Sequence, residues 1–264
     1  MRFAKLHGLG NDFVLLDLRG TAGARPPSPE RALALCDRHL GIGADGILTL
    51  LDENRLIIHN ADGSVPEMCG NGARCAALWI ATDRCTRASP APADVVLRTD
   101  AGPRPCVVQA EAPGSGFVEV EMGVAEVAAP RALPGGFTAV PVSTGNPHRV
   151  IFTDGPRERL TELARTAGPG LCRAEDANVE FVARDGEARY LVAVWERGAG
   201  LTQACGTGAC AVAAAALQRG EVEPGREIAV ELPGGSLAIW RDERTGQIRM
   251  RGPAQLVYRG EFPD

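Results

Sequence analysis

The sequence predicts an α/β chain of the α+β type, built as two similar domains in which mixed, mostly antiparallel sheets wrap around a helix. Three observations carry this. Cys69-Gly70-Asn71-Gly72-Ala73 recurs as Cys205-Gly206-Thr207-Gly208-Ala209, 136 residues later. Short runs of alternating apolar and polar residues mark many strands, with only about four helical segments between them, so regular βαβ alternation and a Rossmann sheet fail. One period of half the chain is too long for a solenoid array and reads as two related domains.

Taken in order, strands are expected at 2–7, 12–18, 46–51, 55–60, 94–99, 105–110 and 117–122, then at 138–143, 149–153, 178–183, 188–196, 226–231, 236–241 and 247–251. Ser28-Pro29-Glu30 opens a helix that runs to Gly41, and Pro156-Arg157-Glu158 opens one that runs to Gly168. Proline at the first helical position and glycine past the end are start and stop signals. Two further helices follow the cysteines, over 73–83 and 209–219, each entered through a tight Gly-x-Gly turn. The stretch Ala209 to Leu217 has no polar face and belongs inside a core. The repeat reaches beyond the cysteines. Gly10-Asn11 leads into the second strand as Gly145-Asn146 leads into Val150-Ile151-Phe152, and Asn60 and Glu196 each stand nine residues before their cysteine. The Pro/Gly cluster Pro113-Gly114-Ser115-Gly116 punctuates the boundary, giving domains 1–112 and 113–251.

A chain of 264 residues can bury two cores. Its net charge of −5 argues against nucleic acid or an anionic membrane as partner. Met1-Arg2-Phe3-Ala4-Lys5 lacks the apolar core of a signal peptide, and no apolar run approaches the ~20 residues of a membrane span, so a cytoplasmic location is expected. Eight cysteines without an export signal suggest reduced thiols. They form no Cys-x-x-Cys pair or Cys/His cluster, and no metal site is expected. Neither glycine run continues into Lys-Ser/Thr, which excludes a P-loop.

The chemistry concentrates at Cys69 and Cys205. A helix N-terminus carries partial positive charge and unpaired N–H groups that favour a carboxylate or a thiolate, so one feature can activate the sulfur and bind an acidic substrate. Two such heads can face one carbon from opposite sides, as proton transfer with inversion requires. Cys36, Cys75, Cys85, Cys106, Cys172 and Cys210 lack this matched context and read as packing residues. Asn11, Asn60, Asn146 and Asn178 stand near strand ends, where asparagine commonly serves a turn. Glu196-Arg197 taken alone would be a solvated surface pair. Their recurrence beside the repeat instead suggests amide and charged groups lining a cleft for carboxylates and ammoniums, with arginine as the carboxylate clamp.

These residues resemble the diaminopimelate epimerase family. The likeness runs through His7-Gly8-Leu9-Gly10-Asn11-Asp12-Phe13, Gly41-Ile42-Gly43-Ala44-Asp45-Gly46, Asn60-Ala61-Asp62-Gly63-Ser64 and Cys69-Gly70-Asn71-Gly72-Ala73-Arg74-Cys75. It continues in Gly145-Asn146-Pro147-His148, Asn178-Val179-Glu180-Phe181, Glu196-Arg197-Gly198-Ala199-Gly200, Ala204-Cys205-Gly206-Thr207-Gly208-Ala209-Cys210 and Leu232-Pro233-Gly234-Gly235, covering nearly the whole chain in order. The resemblance implies a cofactor-independent isomerase that interconverts LL- and meso-2,6-diaminopimelate for lysine and peptidoglycan synthesis. It implies two pseudo-symmetric domains, each a mixed sheet curved round a central helix, with the active site in the interdomain cleft. The segment 252–264, around Gln255-Leu256-Val257-Tyr258, is expected to return to the first domain. By the same likeness, Cys69 and Cys205 are the acid/base pair. Asn11, Asn60, Asn146, Asn178, Glu196 and Arg197 contact substrate, and Gly70-Asn71 with Gly206-Thr207 cradle the reacting carboxylate. His148 and Glu196 tune the thiols, and Tyr258 belongs to a homodimer contact.

Some positions depart from the family pattern. Gly46 replaces a frequent glutamine, Leu201 a glutamate, Trp195 a tyrosine and Thr144 a methionine. A proline racemase or hydroxyproline epimerase shares the duplicated cysteines but typically carries histidine where this chain has Asn71. A non-catalytic amino-acid-binding or redox-sensing protein is a third reading, in which Cys69 and Cys205 would pair as a regulatory disulfide.

Overall fold

A computed structural model describes residues 1–82 and 92–263; Cys85, read above as a packing residue, and Asp83, the expected end of a helix, lie outside the described residues. The chain divides into two compact units, Met1–Val120 with Gly252–Asp264, and Glu121–Arg251.

In the first unit the order is β1 (Arg2–Gly8), β2 (Asn11–Asp17), α1 (Pro29–Cys36), β3 (Gly46–Leu51), β4 (Arg55–Asn60), α2 (Gly70–Thr82), β5 (Ala93–Thr99), β6 (Gly102–Ala112) and β7 (Ser115–Gly123). The ladder runs β1–β2 antiparallel, β2–β3 parallel, β3–β4 antiparallel, β4–β5 parallel and β5–β6–β7 antiparallel. The second unit holds β8 (Glu126–Val127), β9 (Arg131–Ala132), β10 (Thr138–Ser143), β11 (Pro147–Phe152), α3 (Arg157–Thr166), α4 (Gly168–Glu175), β12 (Asn178–Arg184) and β13 (Arg189–Glu196). There follow β14 (Gly200–Leu201), α5 (Gly206–Gln218), β15 (Ile228–Leu232), β16 (Gly235–Arg241) and β17 (Ile248–Glu261). Its ladder repeats the first: β10–β11 antiparallel, β11–β12 parallel, β12–β13 antiparallel, β13–β15 parallel and β15–β16–β17 antiparallel.

The two-residue period of a strand sorts side chains between two layers of helix. On β3, Ile47 joins the cluster under α1, while the next residue, Leu48, points at Gly72 of α2. On β12, Val179 and Phe181 join the cluster under α3 and α4, while Glu180 between them points at Gly208 of α5. Helices α2 and α5 are the central helices, each thirteen residues long; Gly70 to Trp79 are buried without a break, as are Gly208 to Ala216. Among the described residues no helix is long and apolar enough to cross a membrane.

Several boundaries differ from the sequence reading, each for a local reason. Pro113-Gly114 is the turn of the β6–β7 hairpin rather than a linker, so the unit boundary falls after Val120 instead of after residue 112. Helix α1 begins as expected, with Ser28 Oγ accepting the Arg31 N–H at 3.3 Å and Pro29 in its first turn. It ends at Cys36, short of Gly41, because Asp37 accepts the N–H groups of His39 and Leu40 at 2.7 Å each and turns the chain away. The helix expected to stop at Gly168 breaks at Ala167 and restarts as α4, since Pro169 has no N–H to continue the ladder. The expected strand at 247–251 and the returning segment form one strand, β17, which pairs with β1 and whose Pro253 carbonyl accepts from Nε of buried Arg74 on α2 at 3.2 Å.

Gly168 lies under Trp195, and a Cβ there would stand 2.7 Å from the Trp195 Cβ and 3.0 Å from its Cγ. Gly168→Ala is expected to overpack this contact and cost about 1–3 kcal/mol, read as a lower urea midpoint at unchanged slope.

Candidate active site

The two cysteines cap the two central helices. Cys205 is the residue before α5, in extended conformation, and its carbonyl accepts the Ala209 N–H at 3.0 Å. The Cys69 carbonyl accepts the Ala73 N–H at 2.8 Å in the same way. The glycine runs are therefore the first turns of the helices rather than the tight turns expected before them. A first turn has no carbonyl one turn back to accept its N–H groups, so they point out of the helix with its positive end. Close packing requires the glycines: a Cβ on Gly72 would lie 2.8 Å from Leu48 Cδ2, and one on Gly208 would lie 2.8 Å from Glu180 Oε1 and 3.3 Å from Cys205 Sγ.

In the first unit, Asn71 Nδ2 donates to Asn11 Oδ1 at 3.0 Å, and Asn11 Nδ2 donates to Asp45 Oδ2 at 2.8 Å. Asp45 also accepts the Asp12 backbone N–H and an Arg38 Nη2 hydrogen. Asp12 takes Arg38 in a two-point contact, Nη2 to Oδ1 at 2.7 Å and Nη1 to Oδ2 at 3.2 Å, and Lys5 Nζ at 2.5 Å. Lys5 is buried and also donates to the Gly43 carbonyl. Burial opposes ionisation of Asp12, but hydrogen bonds from Arg38 and Lys5 and the Lys5 charge outweigh it and hold the carboxyl at a pKa of about 2. Asn60 is exposed and bonds Ser64 Oγ at 2.9 Å rather than joining the Asn11–Asn71 pair. Gly46 pairs with both Phe13 and Asn60, and a Cβ there would lie 2.6 Å from the His59 carbonyl oxygen, so the glutamine frequent in the family has no room.

In the second unit a connected set surrounds Cys205. Its sulfur lies 3.5 Å from Thr207 Oγ1, which Asn146 Nδ2 reaches at 3.5 Å. Asn146 Oδ1 stands 3.0 Å from His148 Nε2, and His148 Nδ1 stands 2.7 Å from Glu180 Oε1. Glu196 accepts from Thr202 Oγ1, and its carboxylate acts on the Cys205 thiol. Asn178 accepts the Arg197 backbone N–H at 2.8 Å, while the Arg197 guanidinium pairs with Asp176 at 3.0 Å. Trp195 and Leu201, two departures from the family pattern, are cross-strand partners in the β13–β14 hairpin that carries Glu196 and Arg197.

The expectation that the helix head lowers the thiol pKa does not hold for Cys205. The residue is 4% exposed, and burial together with the Glu196 and Glu180 carboxylates pushes it well above the ordinary thiol value, which favours the neutral thiol. Burial likewise raises Glu196. Among the described residues the packing cysteines Cys36, Cys75, Cys106, Cys172 and Cys210 are buried, and burial pushes Cys75 and Cys106 up to about 12 and Cys36 to about 11. Tyr258 sits on β17 against the Phe3 ring.

Sequence reasoning left several residues of these networks without a role, among them Lys5, Asp12, Arg38, Asp45 and Glu180. Asp12, Asp45 and Glu180 stand in the motifs quoted above. The available signal was a charged side chain within an apolar strand run, as in Val179-Glu180-Phe181, which only a buried partner makes tolerable.

Comparison with known proteins agrees in both repeats. The profile of the family described as diaminopimelate epimerase matches residues 3–128 and 140–257. A diaminopimelate epimerase from Synechocystis is 38% identical over 99% of this chain and 98% of its own length. One from Xanthomonas axonopodis pv. citri is 40% identical over 99% and 96%. A crystal structure of a probable proline racemase from Agrobacterium radiobacter superposes with a TM-score of 0.76 at 14% identity, covering 99% of this chain and 92% of the other, which shows a shared fold.

The Lys5–Asp12–Arg38 network makes a pH prediction. Asp12 falls from an ordinary 3.8 to about 2 on folding, so its contribution is complete above pH 4 and is lost as pH falls through 2. It is worth about 2 kcal/mol. Asp12→Asn is expected to lower stability at pH 7 by at least that amount and to flatten the acid limb of the stability curve, read by denaturant titration from pH 7 to 2.

Proposed function

Because this chain belongs to the diaminopimelate epimerase family, we propose that it interconverts LL- and meso-2,6-diaminopimelate without a cofactor, one of Cys69 and Cys205 removing the α-proton and the other delivering a proton to the opposite face. The observation that carries the reading is the matched pair of thirteen-residue buried helices, each capped by a cysteine and entered through Gly-x-Gly. Two equivalent heads supply two sulfurs and two sets of N–H donors, which is what inversion at one carbon needs and a one-sided site lacks.

One cysteine, as thiolate, takes the α-proton and becomes a thiol. The other, as thiol, gives its proton to the opposite face of the carbon and becomes a thiolate; the reverse direction exchanges the roles. Burial and the Glu196 and Glu180 carboxylates favour the neutral thiol at Cys205, the form that donates a proton. The α-proton is weakly acidic, so negative charge developing on the substrate carboxylate must be held by fixed donors. The first-turn N–H groups of α2 and α5 serve this role, each such donor being worth ~3 kcal/mol in the transition state. Asn11, Asn60, Asn146, Asn178, Glu196 and Arg197 hold the substrate, with the Arg197 guanidinium exchanging its Asp176 partner for the far carboxylate. Asn71 is engaged with Asn11, a pairing that suits an amide and gives no support to the proline-type reading.

The product would serve lysine and peptidoglycan synthesis in the cytoplasm. A homodimer contact at Tyr258 is supported by its exposure beside exposed Val257.

The test is incubation with LL-diaminopimelate in D2O, with chiral separation and mass analysis. The wild type should yield the meso isomer with one solvent deuterium, and Cys69→Ala or Cys205→Ala should lower turnover by about 10²–10⁴-fold. Full turnover by Cys69→Ala in both directions would sink the two-thiol scheme, and turnover of proline in place of diaminopimelate would redirect the substrate assignment.

A further inference from the structure

The two repeats share a ladder but differ in one buried pair. On the parallel strands β2 and β3, Phe13 stands opposite Gly46, with Leu48 two residues further on, under Gly72. On the parallel strands β11 and β12, His148 stands opposite Asn178, with Glu180 two residues further on, under Gly208. Phe13 and Leu48 therefore occupy the positions of His148 and Glu180. The scaffold is built equally well by an apolar pair. The His148–Glu180 pair is fully buried, and Glu180 Oε2 has no hydrogen-bond partner, an arrangement that costs stability. A costly pair kept at one helix head and absent from the other serves the group that head carries.

We propose that Glu180 is a positioning residue for Cys205. It accepts from Nδ1 of His148 and so fixes the ring, whose Nε2 holds Asn146, which holds Thr207 against the Cys205 sulfur. The chain of contacts runs 2.7, 3.0, 3.5 and 3.5 Å from carboxylate to thiol, all on β11, β12 and the first turn of α5. A carboxylate behind a histidine sets which nitrogen carries the proton and how the ring lies. The titratable groups that face Glu180 are His148 on β11, Cys205 at the head of α5, Glu196 on β13 and Cys172 on α4. The catalytic consequence rests on the reading of Cys205 as a proton-transfer group. It ties the Cys205 thiol to a buried histidine–carboxylate pair that has no counterpart at the matching positions of the first unit.

The test uses the full chain carrying Glu180→Gln, which keeps the shape and removes the charge, and the double variant His148→Phe/Glu180→Leu, which copies the Phe13–Leu48 pair. Turnover of diaminopimelate by Glu180→Gln should fall about 10–100-fold in kcat with KM within about twofold, the loss typical of removing a group that orients a reacting one. Alkylation by iodoacetamide, followed by peptide mapping across pH, should show a displaced profile for Cys205 and an unchanged one for Cys69. The double variant should fold as stably as the wild type and show the same Cys205-selective change. Wild-type kcat in Glu180→Gln, an equal shift at both cysteines, or unfolding of the double variant would each overturn the inference. A wild type that epimerises no diaminopimelate would instead overturn the functional reading, while the alkylation profiles would still decide the role of Glu180.

Discussion

A helix buried on every side cannot draw on water to satisfy the N–H groups of its first turn, and this protein builds one such helix into each unit. Strands enclose α2 and α5 so fully that an unbroken run of each helix is buried. Enclosure at that closeness is possible because Gly72 and Gly208 let a strand side chain rest directly on the first turn. The same closeness leaves a cysteine as the cap and a positive helix end beside it. Core packing and proposed chemistry therefore share one set of residues, and neither could drift without disturbing the other.

The duplicated ladder makes differences between the units informative, because the backbone is held constant. Where one unit has Phe13 and Leu48, the other has His148 and Glu180. Where one has Asn60, at the end of β4, the other has Glu196, at the end of β13, followed by Arg197. Polar networks follow the same division. In the first unit, Lys5, Asp12, Arg38 and Asp45 lock Asn11 and, through it, Asn71. In the second, a histidine relay reaches the thiol itself. In the proposed reaction the two helix heads differ in the groups that stand behind them, which suits a substrate that changes hand at one carbon and must be gripped at its other end.

Much of this was legible in the residues. The repeat of Cys-Gly-x-Gly, the strand alternation and the apolar run after Cys205 are patterns of local sequence, and local sequence sets period and propensity. Punctuation misled at two points. Pro113-Gly114 marks a hairpin turn as readily as a linker, since both need the same backbone, and Pro169 interrupts a helix that Gly168 had seemed to end. Gly46 was legible only as a departure from a pattern; the approach of the His59 carbonyl shows why no side chain stands there.

The sequence by itself determined the fold class, the duplication and the family, because each is written in residues close together or in motifs repeated in order. Only the tertiary structure decided the burial of Cys205 beside two carboxylates and the partners of Asp12 and Glu180. Those depend on burial and on charges brought from other strands, and the free energy of a charge is set by what surrounds it in space rather than by its neighbours in the chain.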